Sequence, residues 1–187
     1  MSIKNFRKLS RFLESLFKVT SICLGLGLVA LLVGSILSML GKMNISTSLL
    51  EMTGTRVEGL EIFSFNKGNL DEQTKYLALC LSGIILRSAQ AYAFWQGGIL
   101  FSILKISNQP FSKRFYNILR KVGLVLIVSD ILSPLVYYVS ASIMMTGGYT
   151  FTLLTFTSQS LIGLILIYIA EVIRYGNTLQ KFTNDVV

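Results

Sequence analysis

Residues 76–104 read YLALCLSGIILRSAQAYAFWQGGILFSIL, with no proline and a single charged side chain, Arg87. A hydrocarbon layer about 30 Å thick takes about 20 apolar residues to cross as a helix. At that depth a backbone can satisfy its N–H and C=O groups only by coiling into a helix or closing a barrel. Arg87 then sits away from water and needs a partner. Asn69 and Glu72 form an N-capping pair ahead of this run. From there to Leu104 no proline interrupts the helix, so it extends roughly 50 Å by helix rise and must protrude, tilt or bend. Gly97-Gly98 is the natural bend point.

Working outward, three more runs are long enough to span: 19–40, 122–145 and 152–173. The chain of 187 residues is 52% hydrophobic and 14% charged, with a mean hydropathy of +0.64. That is too apolar for a soluble domain of this size. The reading is an all-α polytopic membrane protein. It is one membrane domain built as a bundle of four transmembrane helices (19–40, 76–104, 122–145, 152–173), with a small external loop.

Charge orients it. Seventeen Lys+Arg stand against nine Asp+Glu. The basic residues cluster in 1–18 (Lys4, Arg7, Lys8, Arg11, Lys18) and in 105–121 (Lys105, Lys113, Arg114, Arg120, Lys121). By the positive-inside rule these segments and the 174–187 tail are cytoplasmic, and 41–75 and 146–149 lie outside. The excess of positive charge therefore signals membrane topology and an anionic lipid surface, with no direct nucleic-acid binding. The first run is too long for a signal-peptide core, and Ser38-Met39-Leu40 is a poor cleavage site, so it reads as a retained span.

Residues 3–18 have helical period, with Ile3, Phe6, Leu9, Leu13, Leu16 and Phe17 opposite Lys4, Arg7, Lys8 and Arg11. This is a basic amphipathic helix. It is suited to lie on the inner leaflet, to dock a cytosolic partner, or simply to anchor the topology. In the first span Gly27, Ala30, Gly34, Ser38 and Gly41 form a small-residue stripe. Such a stripe admits a close neighbour, either within the chain or, as a homodimer seam, from a second copy. The external 41–75 segment holds a short strand or hairpin over 56–65, ahead of the turn Asn66-Lys67-Gly68. Asn44-Ile45-Ser46 matches a glycosylation sequon, but nothing else in the chain suggests a secretory context.

Gly83, Arg87, Gln90 and Ala91 share a face of the second span, and Gly123, Asp130, Ser133, Pro134, Tyr137 and Ala141 share one of the third. Counted inward from Gln96 and Val122, Arg87 and Asp130 lie about 13 Å and 12 Å deep. They are expected to form an intramembrane ion pair, joined by the Asp130 carbonyl that Pro134 leaves free. The pair reads either as a structural lock or as part of a gate, proton path or ligand site. Near the inner boundary Glu171 and Arg174, three residues apart, form a local pair. The connection from Pro110 reads as a short basic amphipathic helix, with Lys113, Arg114, Arg120 and Lys121 available to lipid or to a partner. With no histidine, no nucleophile beside a base and no nucleotide loop, no catalytic residue, metal or cofactor is expected. Cys23 and Cys80 belong near opposite membrane faces and read as buried small hydrophobes, not as a disulfide.

Asn108-Gln109-Pro110-Phe111 leads into a Lys/Arg-containing helix and the third span to Gly123, and Ala170-Glu171-Val172-Ile173-Arg174-Tyr175-Gly176 closes the fourth. On these stretches and on its layout the chain resembles the bacterial membrane family catalogued as domain of unknown function 2975. The ending Thr183-Asn184-Asp185-Val186-Val187 departs from the acidic, Leu-Thr-Val ending common among members. The resemblance implies four spans in a bacterial inner membrane and no established activity. Genes of the family commonly lie beside small helix-turn-helix regulators.

The function expected is therefore that of a non-enzymatic integral membrane protein acting through protein contacts, sensing or sequestering a cytosolic transcriptional regulator at its basic face. The alternatives are an immunity protein that engages a membrane-active peptide through 41–75, and a small-solute transporter subunit using Arg87 and Asp130.

Overall fold

The computed structural model describes residues 3–40, 63–67, 72–106, 113–144, 149–153 and 157–186. The sequon, the Asn69 cap, Pro110 and most of the external segment lie outside these residues. The apolar runs become α1 (Ile3–Met39), α2 (Glu72–Ile106), α3 (Lys113–Met144) and α4 (Ser158–Val186). All four helices are long and apolar enough to cross a membrane.

Each helix packs on its neighbour in the chain: α1 on α2, α2 on α3, α3 on α4. Their order makes α2 and α3 the middle and α1 and α4 the edges. Lipid tails are as apolar as leucine and provide no drive for helices to associate, so polar bonds and close backbone approach must set the register. Between α1 and α2, Ser21 Oγ donates to the Ala91 carbonyl at 2.8 Å. The Phe17 ring packs against Phe94 at 5.3 Å and Phe101 at 5.2 Å. Gly97 and Gly98 leave the space that Phe17 and Lys18 fill. These glycines are thus a seat for α1, and α2 continues as helix through them. Between α2 and α3, buried Ser133 donates to the Ser82 carbonyl at 3.1 Å.

The α3–α4 crossing is the tightest. A Cβ on Gly123 would stand 2.6 Å from the Gly163 carbonyl oxygen, and one on Gly163 would stand 2.8 Å from the Gly123 oxygen. Only hydrogens fit between the two backbones.

Several expectations are corrected. α1 is one uninterrupted helix, so its basic first turns continue the axis of the span instead of lying across it on the leaflet. The small-residue stripe divides: Gly34 abuts the Tyr76 hydroxyl, while Gly27 has nothing within 4 Å of its Cβ position. Cys23 is exposed and only Cys80 is buried. The strand of the external segment is β1 (Phe63–Lys67), and its antiparallel partner is β2 (Tyr149–Leu153), from the third connection, with Phe63 opposite Leu153 and Lys67 opposite Tyr149. The 152–173 span therefore starts later than its hydropathy suggests, because Tyr149-Thr150-Phe151-Thr152-Leu153 is rich in β-branched and aromatic residues and pairs as a strand. The helix begins at Ser158.

Gly123→Ala and Gly163→Ala should each destabilise the protein by about 1–3 kcal/mol, because backbone must move to admit the methyl group. Gly25→Ala, with open space around it, should change stability by less than about 1 kcal/mol. Thermal unfolding in mild detergent checks this, followed by reaction of buried Cys80 with a thiol-reactive fluorophore in a Cys23→Ser background. Equal midpoints for all three variants would refute the crossing's importance.

Candidate functional site

α4 opens beside the middle of α3. Asp130 is 3% exposed, and α3 continues beyond it for about 21 Å by helix rise. The first N–H groups of any α-helix lack intrahelical acceptors. The sequence Thr157-Ser158-Gln159-Ser160 solves this locally. Thr157 is the N-cap: its Oγ1 accepts the Gln159 N–H at 3.1 Å.

Asp130 completes the cap from the neighbouring helix. Its Oδ1 accepts the Thr157 hydroxyl at 2.6 Å and its Oδ2 accepts the Thr157 N–H at 3.0 Å. The buried Ser160 hydroxyl also donates to Oδ2. All three bonds are accepted by the carboxylate, and a negative group at a helix N-terminus faces the positive end of the helix dipole.

The expected direct ion pair is therefore corrected. Among the described residues the ion pairs are Glu14–Lys18, Glu14–Lys105 and Glu171–Arg174, and Asp130 is engaged with α4. Arg87 and Asp130 are instead the two ends of one hydrogen-bonded chain. Arg87 Nη1 donates to Gln90 Oε1 at 3.4 Å, and Gln90 Nε2 donates to Gln159 Oε1 at 3.2 Å. Gln159 in turn donates through Nε2 to Ser129 Oγ at 2.8 Å and through its backbone to Thr157. The depth count brought the two charges to similar levels, but one turn of α4 stands between them. Gln159 and Thr157 were missed because the whole 152–173 run was read as span. The signal was present as a Thr-x-x-Ser start ahead of the apolar residues from Leu161.

An open cleft of about 420 Å³ between α2 and α3, lined by Ser88, Tyr92, Ser129 and apolar side chains, reaches this network. Among the described residues no group of His, Cys, Asp and Glu assembles as a metal ion would require.

At the other end of the helices lie the basic residues. Lys8, Arg11, Lys113, Arg114, Arg120 and Lys121 are exposed. Lys4 and Arg7 lie on the backbone of α1, their side chains outside the description. Glu14, which composition alone did not single out, contacts Lys18 at 2.8 Å and Lys105 at 3.7 Å, tying α1 to the end of α2. Glu171 holds Arg174 at 2.8 Å. Both described carboxylates at this end are thus already neutralised, and the exposed cations of α1 and α3 keep their charge unopposed by them. Lys113, Arg114, Asn117, Ile118 and Lys121 line an open depression of about 440 Å³. Compared with protein-family models, curated proteins and solved structures, the chain matches none.

Asp130→Ala should lower stability by about 3 kcal/mol, since it strands several buried donors, and Ser160→Ala by about 1 kcal/mol, since it removes a single bond. Unfolding midpoints in detergent test the order. An Asp130→Ala protein as stable as the parent would show that the cap is dispensable.

Proposed function

We propose that this chain is a non-enzymatic protein of the bacterial inner membrane, with both termini cytoplasmic, that binds an acidic surface of a cytosolic regulatory protein on its basic face. The observation that carries this reading is the set of exposed cations on the first turns of α3, Lys113, Arg114, Arg120 and Lys121, of which Lys113, Arg114 and Lys121 line an open depression. The nearby carboxylates Glu14 and Glu171 are already engaged with other bases. A partner with acidic side chains complements such a face, and charge complementarity acts mainly on association rate and specificity. The resemblance to the domain of unknown function 2975 family supports the bacterial setting and the kind of partner. The polar chain from Arg87 to Asp130 is given a structural role, because its Gln90–Gln159, Gln159–Ser129 and Thr157–Asp130 bonds tie the start of α4 to α2 and α3.

The test is recovery of tagged protein from its host in mild detergent, with co-purifying proteins identified by mass spectrometry. The parent should recover a soluble regulator. Lys113→Glu with Arg114→Glu should recover roughly tenfold less of it, with an unchanged unfolding midpoint because both side chains are exposed. Recovery of membrane proteins alone, or of the regulator undiminished by the charge reversal, would refute the reading. The first outcome would favour the external segment as the working surface.

A further inference from the structure

The face of α4 turned away from α3 carries a large apolar residue at every first and fourth position of an unbroken heptad: Leu161, Ile165, Tyr168, Val172, Tyr175, Leu179 and Phe182. All seven are exposed, from 51% at Leu179 to 72% at Tyr168. Their neighbours on the opposite side, Ser160, Gly163 and Ala170, are buried against α3. In the first half of α4 an apolar surface is what lipid requires, and Ile162, Leu164 and Ile169 are exposed there too.

Beyond Arg174 the pattern narrows. Tyr175, Leu179 and Phe182 recur at spacings of four and three, with Gly176, Asn177, Thr178, Gln180 and Lys181 between them. A stripe this narrow is a coiled-coil seam, not the broad face of a helix lying on a core or on a leaflet. Counting six residues from the cluster of Leu119 with Ala170 brings Lys113, the first residue of α3, level with Gly176. The turns that follow stand clear of α3. α4 is a single helix from Ser158 to Val186, so these turns continue its axis beyond the level at which α3 begins.

We propose that α4 pairs with α4 of a second copy of this chain as a parallel, in-register coiled coil. Two copies inserted in one membrane share an orientation, so their α4 helices are parallel without further constraint. A two-fold seam then sets each residue against its own counterpart. Ile165, Val172 and Leu179 occupy the first heptad positions, and the β-branched Ile165 and Val172 there favour parallel dimers. Gly176 and Thr178, which flank the seam outside the apolar half, carry no charge to repel a like neighbour. A stable specific interface buries about 800 Å² on each partner, and seven exposed large apolar side chains on each copy supply apolar surface for one. This pairing is independent of the cytosolic partner proposed above.

The test uses the full chain in its native membrane, in a Cys23→Ser background, with Tyr175→Cys, Leu179→Cys or Phe182→Cys on the seam and Asn177→Cys or Gln180→Cys off it. After mild oxidation the seam positions should give a disulfide-linked species of twice the chain mass, roughly tenfold more than the off-seam positions. Equal yields at all positions would mean random collision of a lipid-covered or free helix and would overturn the proposal. So would an adduct of a different mass, which would identify a foreign partner on the seam. Independently, Leu179→Glu should convert the detergent-extracted protein from two copies to one by single-molecule counting, and Gln180→Glu should not. A Leu179→Glu protein that still counts as two would likewise overturn it.

Discussion

A helix start strands its first N–H groups unless another group accepts them, and in this chain Asp130 of the neighbouring helix accepts that of Thr157. Because α4 begins beside the middle of α3, the third connection has to return along α3 before the helix can start. β2 does so while pairing with β1. The β2 backbone pairs with β1, and at the α4 start the Thr157 and Gln159 N–H groups donate to Asp130 and Thr157. Non-helical backbone at such depth is tolerated only where protein satisfies it. The buried acid of α3 thus holds the start of α4 in place.

The same constraint explains the division of labour among the helices. α2 and α3 form the middle of the row and meet polar or glycine contacts from both sides, from Ser21 of α1 and from Gln159, Ser160 and Gly163 of α4. Among the described residues α1 packs on α2 alone and α4 chiefly on α3. At the α3–α4 crossing the two backbones meet across Gly123 and Gly163, which lets Ser160 and Thr157 come close enough to reach Asp130. One methyl group at the glycines would act on the cap a few turns away through the rigid helix between them.

The number of helices was legible because hydrocarbon thickness imposes a length that apolar runs either reach or do not. Arg87 and Asp130 were legible as special because charge in such a run is rare. What each binds was not. Pairing the only opposite charges at similar depth is the simplest inference from a one-dimensional count. It fails because a carboxylate is attracted equally well by the N-terminus of a helix whose starting residue hydropathy cannot locate. Strand and helix are both apolar in this chain, and the residues 149–153 pass for span on hydropathy while their β-branched and aromatic composition belongs to β2. The partner of β1 was illegible for a different reason: it lies more than eighty residues along the chain, roughly as far as two spans and their connection reach, and no local pattern encodes a pairing of that range.

The two surfaces left free by this architecture lie on different helices and do not compete. The basic residues Lys113, Arg114, Arg120 and Lys121 stand on the first turns of α3, whereas the heptad stripe of α4 faces away from α3. Pairing of two copies through α4 would leave both basic faces uncovered and hold them at a fixed separation across one two-fold axis. A partner that is itself two-fold symmetric would then engage both at once, its second contact becoming intramolecular, so that affinity rises without any new residue being required. A face held mainly by exposed charges, individually worth little, gains most from this arrangement. Under the two proposals together, pairing through the edge helix would raise the local concentration of the basic face.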